Sequence, residues 1–519
     1  MADSFSSLNI NIHTDQRCLA RVESFGFETG KITFLLGESG IGKSLLSKVY
    51  MGIMPPRRLI IDVNGKPYDH HFAQARRAPR LRDGFFVFQE PSSHFNPMRT
   101  IGQQLNEGQL GRLGPEAGNT VLQAFWPDKS VAENLLKVYP KPYRPSGGEK
   151  QRLLLAMAFK KIALYQKKKN TGDALFIFDE PSGSLDNAAR NRFLDELITR
   201  YRQKPFTAVV ITHDYTIVSH LSRHYAGLAG EVAWMELLRD TKEEGRLLLK
   251  PFPHHSFEAW LASLAPVRSQ LDHSGHEILR LKSGVSIWER RFAFLDARGR
   301  EVDFTLNRGE ATYIKAPSGV GKTTMAKIIM GLLTAEQAGL TILNRPVPET
   351  GKRAFYARYI WGKQATMVFQ HADEALNGEL TVEEVFKVLS PGRNVNRQKI
   401  MRRLREWFGD RIPETFLHRP VKYLSGGQKQ RLNLLRGFVQ NTDILILDEP
   451  LNGLDLKSAA LVIKKIQERQ RDGKAILIIS HNEDIMEKII PGENIFYLEA
   501  ASGASKKDGG SVPSLHTMP

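Results

Sequence analysis

Two tandem α/β domains, each with a mostly parallel core sheet, are the architecture this sequence predicts. Three observations carry it. A glycine-rich turn occurs twice, as GESGIGKS at Gly37 to Ser44 and APSGVGKT at Ala316 to Thr323. Each turn follows an apolar strand-like run and opens a helix-like one. Four further stations then return in one order down both halves. Lys43 and Lys322 lie 279 positions apart, as do Ser146 and Ser425, while Gln89 and Gln370 are offset by 281. The offset falls to 269 for Asp179 and Asp448 and to 268 for His213 and His481. One insertion in the first copy, Lys160 to Leu175 against Gly437 to Leu445, accounts for the drop. The reading is therefore a first domain over residues 1–238, a connector or extension over 239–277 and a second domain over 278–500. The tail, 501–519, lacks apolar periodicity and reads as disordered.

In the first copy, KITFLLGESGIGKSLLSKVYMG gives the strand, turn and helix that make G-x-x-x-x-G-K-[ST] a phosphate loop. Gly37, Ser39, Gly40 and Gly42 let backbone N–H groups converge on an anion at the helix N-terminus. Lys43 reaches the outer phosphates and Ser44 offers a hydroxyl to Mg²⁺. The second copy has Ser318, Gly319, Gly321, Lys322, Thr323 and Thr324 in the matching places. It departs at Ala316, where the first glycine stood, and at Pro317, which lacks an N–H donor. Weaker or reshaped binding is expected there.

ALFIFDEP and DILILDEP are apolar strands ending in two carboxylates. Asp179 and Asp448 suit the water shell of Mg²⁺, and Glu180 and Glu449 suit the general base that polarises an attacking water. VVITHDY and LIISHNED bring His213 and His481 to strand ends where a side chain meets a γ-phosphate. Gln89 and Gln370 follow apolar strands and can ligate Mg²⁺ through the amide oxygen, so the predicted metal set is Ser44, Gln89 and Asp179 with Thr323, Gln370 and Asp448. Trp288, Phe292 and Phe294, upstream of the second loop, are expected in the core.

The remaining station is RPSGGEKQR, with Ser146, Gly147, Gly148 and Glu149, which returns as YLSGGQKQR, with Ser425, Gly426, Gly427 and Gln428. Serine, two glycines and a basic helix start form a second anion-binding helix N-terminus. The order phosphate loop, Gln, SGG(Q/E), DE and His resembles that of ATP-binding cassette (ABC) ATPases over most of both halves. That resemblance implies a core sheet, an antiparallel β subdomain and a helical subdomain carrying the signature turn in each domain. It also implies head-to-tail pairing within the chain, the signature of one cassette completing the ATP site of the other. One site would join Lys43, Gln89, Glu180 and His213 to Ser425, Gly427 and Gln428. The other would join Lys322, Gln370, Glu449 and His481 to Ser146, Gly148 and Glu149, and with both departures it is expected to be the slower.

FQEPSSHFNPMRTIGQQLNE, Phe88 to Glu107, is similar to the segment after the glutamine in peptide and nickel importer cassettes, and Lys250 to Pro266 resembles their C-terminal extension. The implied function is ATP hydrolysis driving a membrane importer for peptides or similar small solutes. Its partners would be two separate transmembrane permease subunits and a substrate-binding protein, with the chain cytoplasmic and peripheral at the inner face of the cell membrane. ATP and Mg²⁺ are the expected cofactors. The alternative is a soluble cassette ATPase energising a cytosolic enzyme or nucleoprotein complex. Nucleic acid is not the expected partner, because SGSLD and LNGLD stand where translation-factor cassettes carry threonine-asparagine-histidine-leucine-aspartate, and no sustained heptads appear.

Composition agrees with this frame. With 519 residues, 41% of them hydrophobic, the chain can bury sizeable cores. No apolar run of membrane-spanning length and no signal-peptide pattern is present in it. A net charge of +17 calls for an anionic partner, whether nucleotide, nucleic acid or lipid headgroup. The basic clusters at Arg76, Arg77, Arg80 and Arg82, at Lys167 to Lys169 and at Arg402, Arg403 and Arg405 read as solvated faces, although the insertion at Lys160 to Lys169 is a candidate partner surface. The single cysteine, Cys18, excludes an intrachain disulfide and reads as a packed thiol.

Overall fold

The computed structural model describes residues 7–15, 18–55, 59–78, 83–107, 121–126, 129–138, 140–167, 174–183, 185–225, 227, 230–240, 242–243, 245–267, 276–288, 290–317, 319–336, 338–348, 352–389, 396–410 and 412–502. The tail beyond 502 and Ser318 of the second loop lie outside them, as do Arg80, Arg82, Lys168 and Lys169.

Both halves are α/β with a parallel core. In the first, one ten-stranded sheet runs Lys66–Pro67, Ile60–Val63, Leu8–His13, Cys18–Phe25, Arg246–Pro251, Val232–Arg239, Ile32–Leu36, Thr207–Ile211, Leu175–Asp179 and Phe85–Val87. The strands from Val232–Arg239 onward are parallel, and three of them, Ile32–Leu36, Thr207–Ile211 and Leu175–Asp179, are buried at every position. That is why their sequences are continuous apolar runs. In the second half the seven-stranded sheet runs Val285–Ile287, Arg290–Leu295, Ile495–Ser502, Ala311–Lys315, Ala475–Ile479, Ile444–Asp448 and Ala365–Val368. Its antiparallel arm is a separate four-stranded sheet: Phe304–Asn307, Glu277–Leu281, Leu340–Ile342 and Arg345–Pro346.

Each half also carries a helical group: Ile101–Leu105, Lys129–Val138 and Gly147–Lys167 in the first, and Val382–Val388, Arg397–Phe408 and Gly426–Val439 in the second. The insertion in the first copy lengthens the helix that begins at the SGG turn to 21 residues against 14. Lys160 is not part of a basic surface there. It is buried, and its Nζ donates to Leu105 O at 2.9 Å and Asn106 Oδ1 at 2.8 Å, capping the end of helix Ile101–Leu105. Lys167 is exposed.

Residues 239–277 contribute strand Arg246–Pro251 to the ten-stranded sheet and then helix His254–Ser263. This helix touches Thr216–His224 of the first half and Glu483–Ile489 of the second. Phe257, fully buried, and Leu261 join Tyr215 and Val218 to Ile485 and Met486 in one apolar cluster.

Two packing expectations fail. Cys18 is exposed, because it opens its strand at an outward-facing position. Trp288 is 70% exposed at φ 49°, in the turn between strands Val285–Ile287 and Arg290–Leu295, where a side chain projects away from the sheet. Phe292 and Phe294 are in the core as expected.

Candidate ATP sites between the two halves

The phosphate loops, glutamines, acidic pairs and histidines converge because each follows a parallel strand at the same C-terminal edge of its sheet, while the SGG turns open helices of the helical groups. In the first half, Gly42 at φ 117° hands the loop to helix Lys43–Tyr50; in the second, Gly321 at φ 123° does so for Lys322–Ile329. Gly37 has φ 139° and lies so close to Leu237 O that a Cβ would meet it at 2.6 Å. Ala316, its counterpart, does not take a positive φ, so the second loop starts on a different backbone path. Lys43 Nζ donates to Gly37 O (2.6 Å) and Glu38 O (3.1 Å); Lys322 Nζ donates to Ala316 O (2.6 Å) and Pro317 O (3.2 Å). Burial lowers the pKa of both lysines, with the neighbouring carboxylates opposing.

Ser44 Oγ donates to Asp179 Oδ1 at 2.6 Å, and Thr323 Oγ1 to Asp448 Oδ1 at 3.2 Å. The other carboxylate oxygen of each aspartate is buried without a hydrogen-bond partner. A buried carboxylate oxygen left open beside a hydroxyl on a phosphate loop fits a hard divalent cation, which takes oxygen ligands. Gln89 is exposed in the turn after strand Phe85–Val87, and Gln370 is half-buried after Ala365–Val368.

Glu180 and Glu449 sit at φ 48° and 50°, in the left-handed region that a glutamate rarely adopts. Each is held there by its own N–H, which donates to Ile211 O or Ile479 O at the end of the next strand. Such strain persists where the surroundings over-determine it, as at functional sites. Glu180 Oε2 stands 2.9 Å from His213 Nδ1, and Glu449 Oε1 stands 3.2 Å from His481 Nε2. The two pairs differ electrostatically. Burial pushes Glu180 up, but the His213 ring and Lys43 outweigh it and hold the carboxyl below its usual range. His213 is disfavoured as a cation by burial, yet Glu180 raises it overall. In the second pair burial, aided by Asp448, lifts Glu449 to about 8, and burial with Lys322 takes His481 down to about 4.

The SGG turns are capped alike. Ser425 Oγ accepts from Gln428 N at 3.3 Å and Gln428 Oε1 from Ser425 N at 3.0 Å; Ser146 and Glu149 repeat this at 3.3 and 2.8 Å. Either residue type therefore closes the box, and Glu149 differs by adding a charge.

The two halves meet at these motifs. Ser39 N donates to Gly453 O at 3.2 Å, and a Cβ on Gly40 would lie 3.4 Å from Gly426 N. His213 Nε2 is 2.7 Å from Asn452 Oδ1, and Arg431 Nη2 is 2.6 Å from Glu38 Oε1. In the other direction Asn187 Nδ2 donates to His481 O (3.0 Å) and Glu483 Oε1 (2.5 Å). Gly427 is buried, whereas Gly147 is exposed and Gly148 half-buried. The first phosphate loop thus lies against the second SGG turn, bringing Lys43, Ser44, Asp179, Glu180 and His213 to one side and Ser425 to Gln428 to the other. Sequence reasoning missed Glu38, Asn187, Arg431 and Asn452. Asn187 and Asn452 follow DEP closely, and that nearness to the acidic pair was an available signal.

A loop for phosphates, a strained glutamate on a histidine and a partner helix N-terminus form the apparatus of a nucleoside-triphosphatase. The ABC transporter family model matches residues 21–182 and 300–452. The chain belongs to the ABC transporter family and is an ATPase with two cassettes. It is similar to the glutathione import ATP-binding protein GsiA of Escherichia coli (strain K12), 26% identical over 95% of this chain and 84% of that protein. The protein of the same name from Shigella sonnei (strain Ss046) is also 26% identical with the same coverage. Among solved structures, RNase-L Inhibitor aligns with a TM-score of 0.59 at 17% identity, covering 94% of this chain and 89% of that one. An archaeal ribosome recycling factor, aABCE1, solved with ribosomal stalk protein aP1, aligns at 0.55 and 17%, covering 96% and 90%. At those identities the likeness is one of fold.

Proposed function

We propose that the chain is the ATP-hydrolysing motor of a membrane importer for peptides or similar small solutes, working through two head-to-tail composite sites. The observation that carries the first composite site is the contact of the first phosphate loop with the second SGG turn, and the second site follows from the repeat. ATP phosphates lie on the N–H groups of Gly37 to Ser44, with Lys43 turning from its loop carbonyls to the outer phosphates. Ser425 and Gly427 face the γ-phosphate from the other cassette. Glu180 takes a proton from the attacking water, and His213, on Glu180 and Asn452, senses the γ-phosphate. Lys322, Glu449 and His481 occupy the matching places with Ser146, Gly148 and Glu149, and because burial lifts Glu449 to about 8 its carboxyl is mostly protonated at neutral pH, which makes this the slower site.

Mg²⁺, when bound, neutralises phosphate charge. Ser44, Asp179 and Gln89 would hold it at the first site, and Thr323, Asp448 and Gln370 at the second. The open oxygens of Asp179 and Asp448 support this assignment.

The importer reading draws on the glutathione import name of the relatives, glutathione being a small peptide. It also draws on exposed apolar groups between the glutamine and SGG stations. Met98 (82% exposed), Tyr143 (68%) and Val138 lie in the first cassette, and Val388 and Tyr423 in the second. Lys141 Nζ donates to Met98 O at 3.0 Å and joins part of the first group. Apolar residues exposed next to a nucleotide-sensing segment suit a partner that moves with ATP. No described helix is long and apolar enough to cross a membrane, and separate permease chains would supply that part. The protein would then sit peripherally on the inner membrane face, where its basic charge is favourable.

The test is affinity purification from native membranes in mild detergent, with Glu180→Gln and Glu449→Gln combined to trap the ATP-closed state. Two polytopic membrane proteins are expected to co-purify. Soluble partners alone in every nucleotide state would overturn the importer and favour a cytosolic motor.

A further inference from the structure

Glu38 is the second residue of the first phosphate loop, where the second loop has Pro317. Its side chain is 8% exposed and crosses to the other cassette. There Oε1 meets Arg431 Nη2 at 2.6 Å and covers the α-carbon of Gly427, where a Cβ would stand only 2.0 Å from that oxygen. Arg431 lies six residues beyond Ser425 on the same helix. Its guanidinium is backed by the Phe408 ring, 5.2 Å from the centroid, and its side chain is 15% exposed. The matching arginine of the first copy, Arg152, instead lies over Trp126 of its own cassette at 5.6 Å. Pro317 has no carboxylate to offer, so the cross-cassette pair forms in one direction only. A buried, charge-assisted hydrogen bond is short and directional, and losing one partner strands the other charge away from water.

We propose that Glu38 and Arg431 are positioning residues that keep the second SGG turn docked on the first phosphate loop without nucleotide. The first composite site is then a standing one that ATP enters ready-made, and the second is the one that opens and closes. Gly427 is required by this contact, since any side chain there would push Glu38 off the arginine. The inference rests on the composite-site reading.

The docking can be read directly. A Cβ on Gly453 would lie 3.2 Å from Ser39 Cβ, so Ser39→Cys with Gly453→Cys, in a full-length Cys18→Ser background, reports it by disulfide formation. Cross-linking is expected to be equally fast with and without ATP when Glu38 is present. Glu38→Ala is expected to slow the nucleotide-free reaction about tenfold, a loss of about 1.4 kcal/mol of docking. ATP is expected to restore it. In the native-cysteine protein the same substitution should raise the KM for ATP about tenfold. Glu38→Arg and Arg431→Glu should each fail singly and recover when combined. An unchanged cross-linking rate in Glu38→Ala, or no recovery in the exchanged pair, overturns the proposal. Ser425→Arg separates the two levels. Full ATPase in that variant overturns the composite site itself. Lost ATPase there, with cross-linking indifferent to Glu38→Ala, overturns the Glu38–Arg431 pair alone.

Discussion

The two candidate sites share most of their groups within each cassette and differ most in what crosses between cassettes. Lys43 and Lys322, Ser44 and Thr323, and Asp179 and Asp448 repeat one another almost bond for bond. Across the junction the likeness ends. His213 meets Asn452, but the residue matching Asn452 in the first DEP segment is Gly183, which has no side chain to offer His481. Glu38 meets Arg431, while Pro317 and Arg152 form no such pair. After duplication the chemistry within a half is held by its own fold, whereas contacts between halves are free to diverge, because one good junction already keeps the halves together.

The sharpest break of this comparison is kinetic. Glu180→Gln is expected to lower ATPase turnover by about 100-fold or more, and Glu449→Gln by less than about threefold, because a general base contributes on the order of 10²–10⁴ where chemistry is fast. Equal losses in steady-state assays would erase the difference between sites.

Next comes a difference between the helical groups. Lys160→Met leaves Leu105 O without its donor and is expected to cost about 2 kcal/mol, read from the urea midpoint. Val439, at the matching place in the second copy, is only partly buried, and Val439→Met should stay within about 0.5 kcal/mol. A neutral Lys160→Met would show that the buried cation does not tie helix Ile101–Leu105 to the SGG helix.

The second helical group has an ionic tie of its own, where Glu383 stands at the position of Gly102. Hydrogen bonds from Arg397, with Lys387 adding to them, hold the Glu383 carboxyl down at about 2. A carboxylate depressed in the fold stabilises it fully above its unfolded value, near 4.5, and that contribution disappears as pH falls toward about 2. Glu383→Gln should therefore cost about 1 to 2 kcal/mol at neutral pH, little near pH 2, and flatten the acid limb of a stability profile. A parallel shift at every pH would assign the loss to packing.

The smallest contrast concerns the loops. Gly42 and Gly321 share a backbone conformation, but a Cβ on Gly321 would meet Phe292 at 2.8 Å and one on Gly42 would meet Leu247 at 3.7 Å. Gly321→Ala should then be worse than Gly42→Ala by about 1 kcal/mol in thermal unfolding. Equal costs would mean that φ alone, and not packing, demands the glycine.

Much of this was legible because phosphate chemistry is written in short, ordered motifs: GESGIGKS, FDEP and SGGEKQR each carry strand, turn and helix information in a few residues. What escaped depends on docking. Glu38 and Arg431 are separated by 393 positions, and no local pattern links them. Trp288 and Cys18 were misjudged because composition says such residues bury, while a turn and an outward strand position decided otherwise. The antiparallel arm is continuous with the core sheet in the first half and separate in the second, a difference made by where strand Arg246–Pro251 inserts and invisible in either motif set.

Helix His254–Ser263 has a further consequence. Phe257 and Leu261 bind the halves through one apolar cluster, so each cassette meets its mate at the effective concentration of a tether, in the millimolar range for short linkers. Specific activity should then hold constant on dilution from micromolar to nanomolar protein. Two cassettes encoded separately would have to be made in matched amounts to pair so reliably; one chain delivers them in fixed ratio and in fixed order, with the unequal sites always facing the same way.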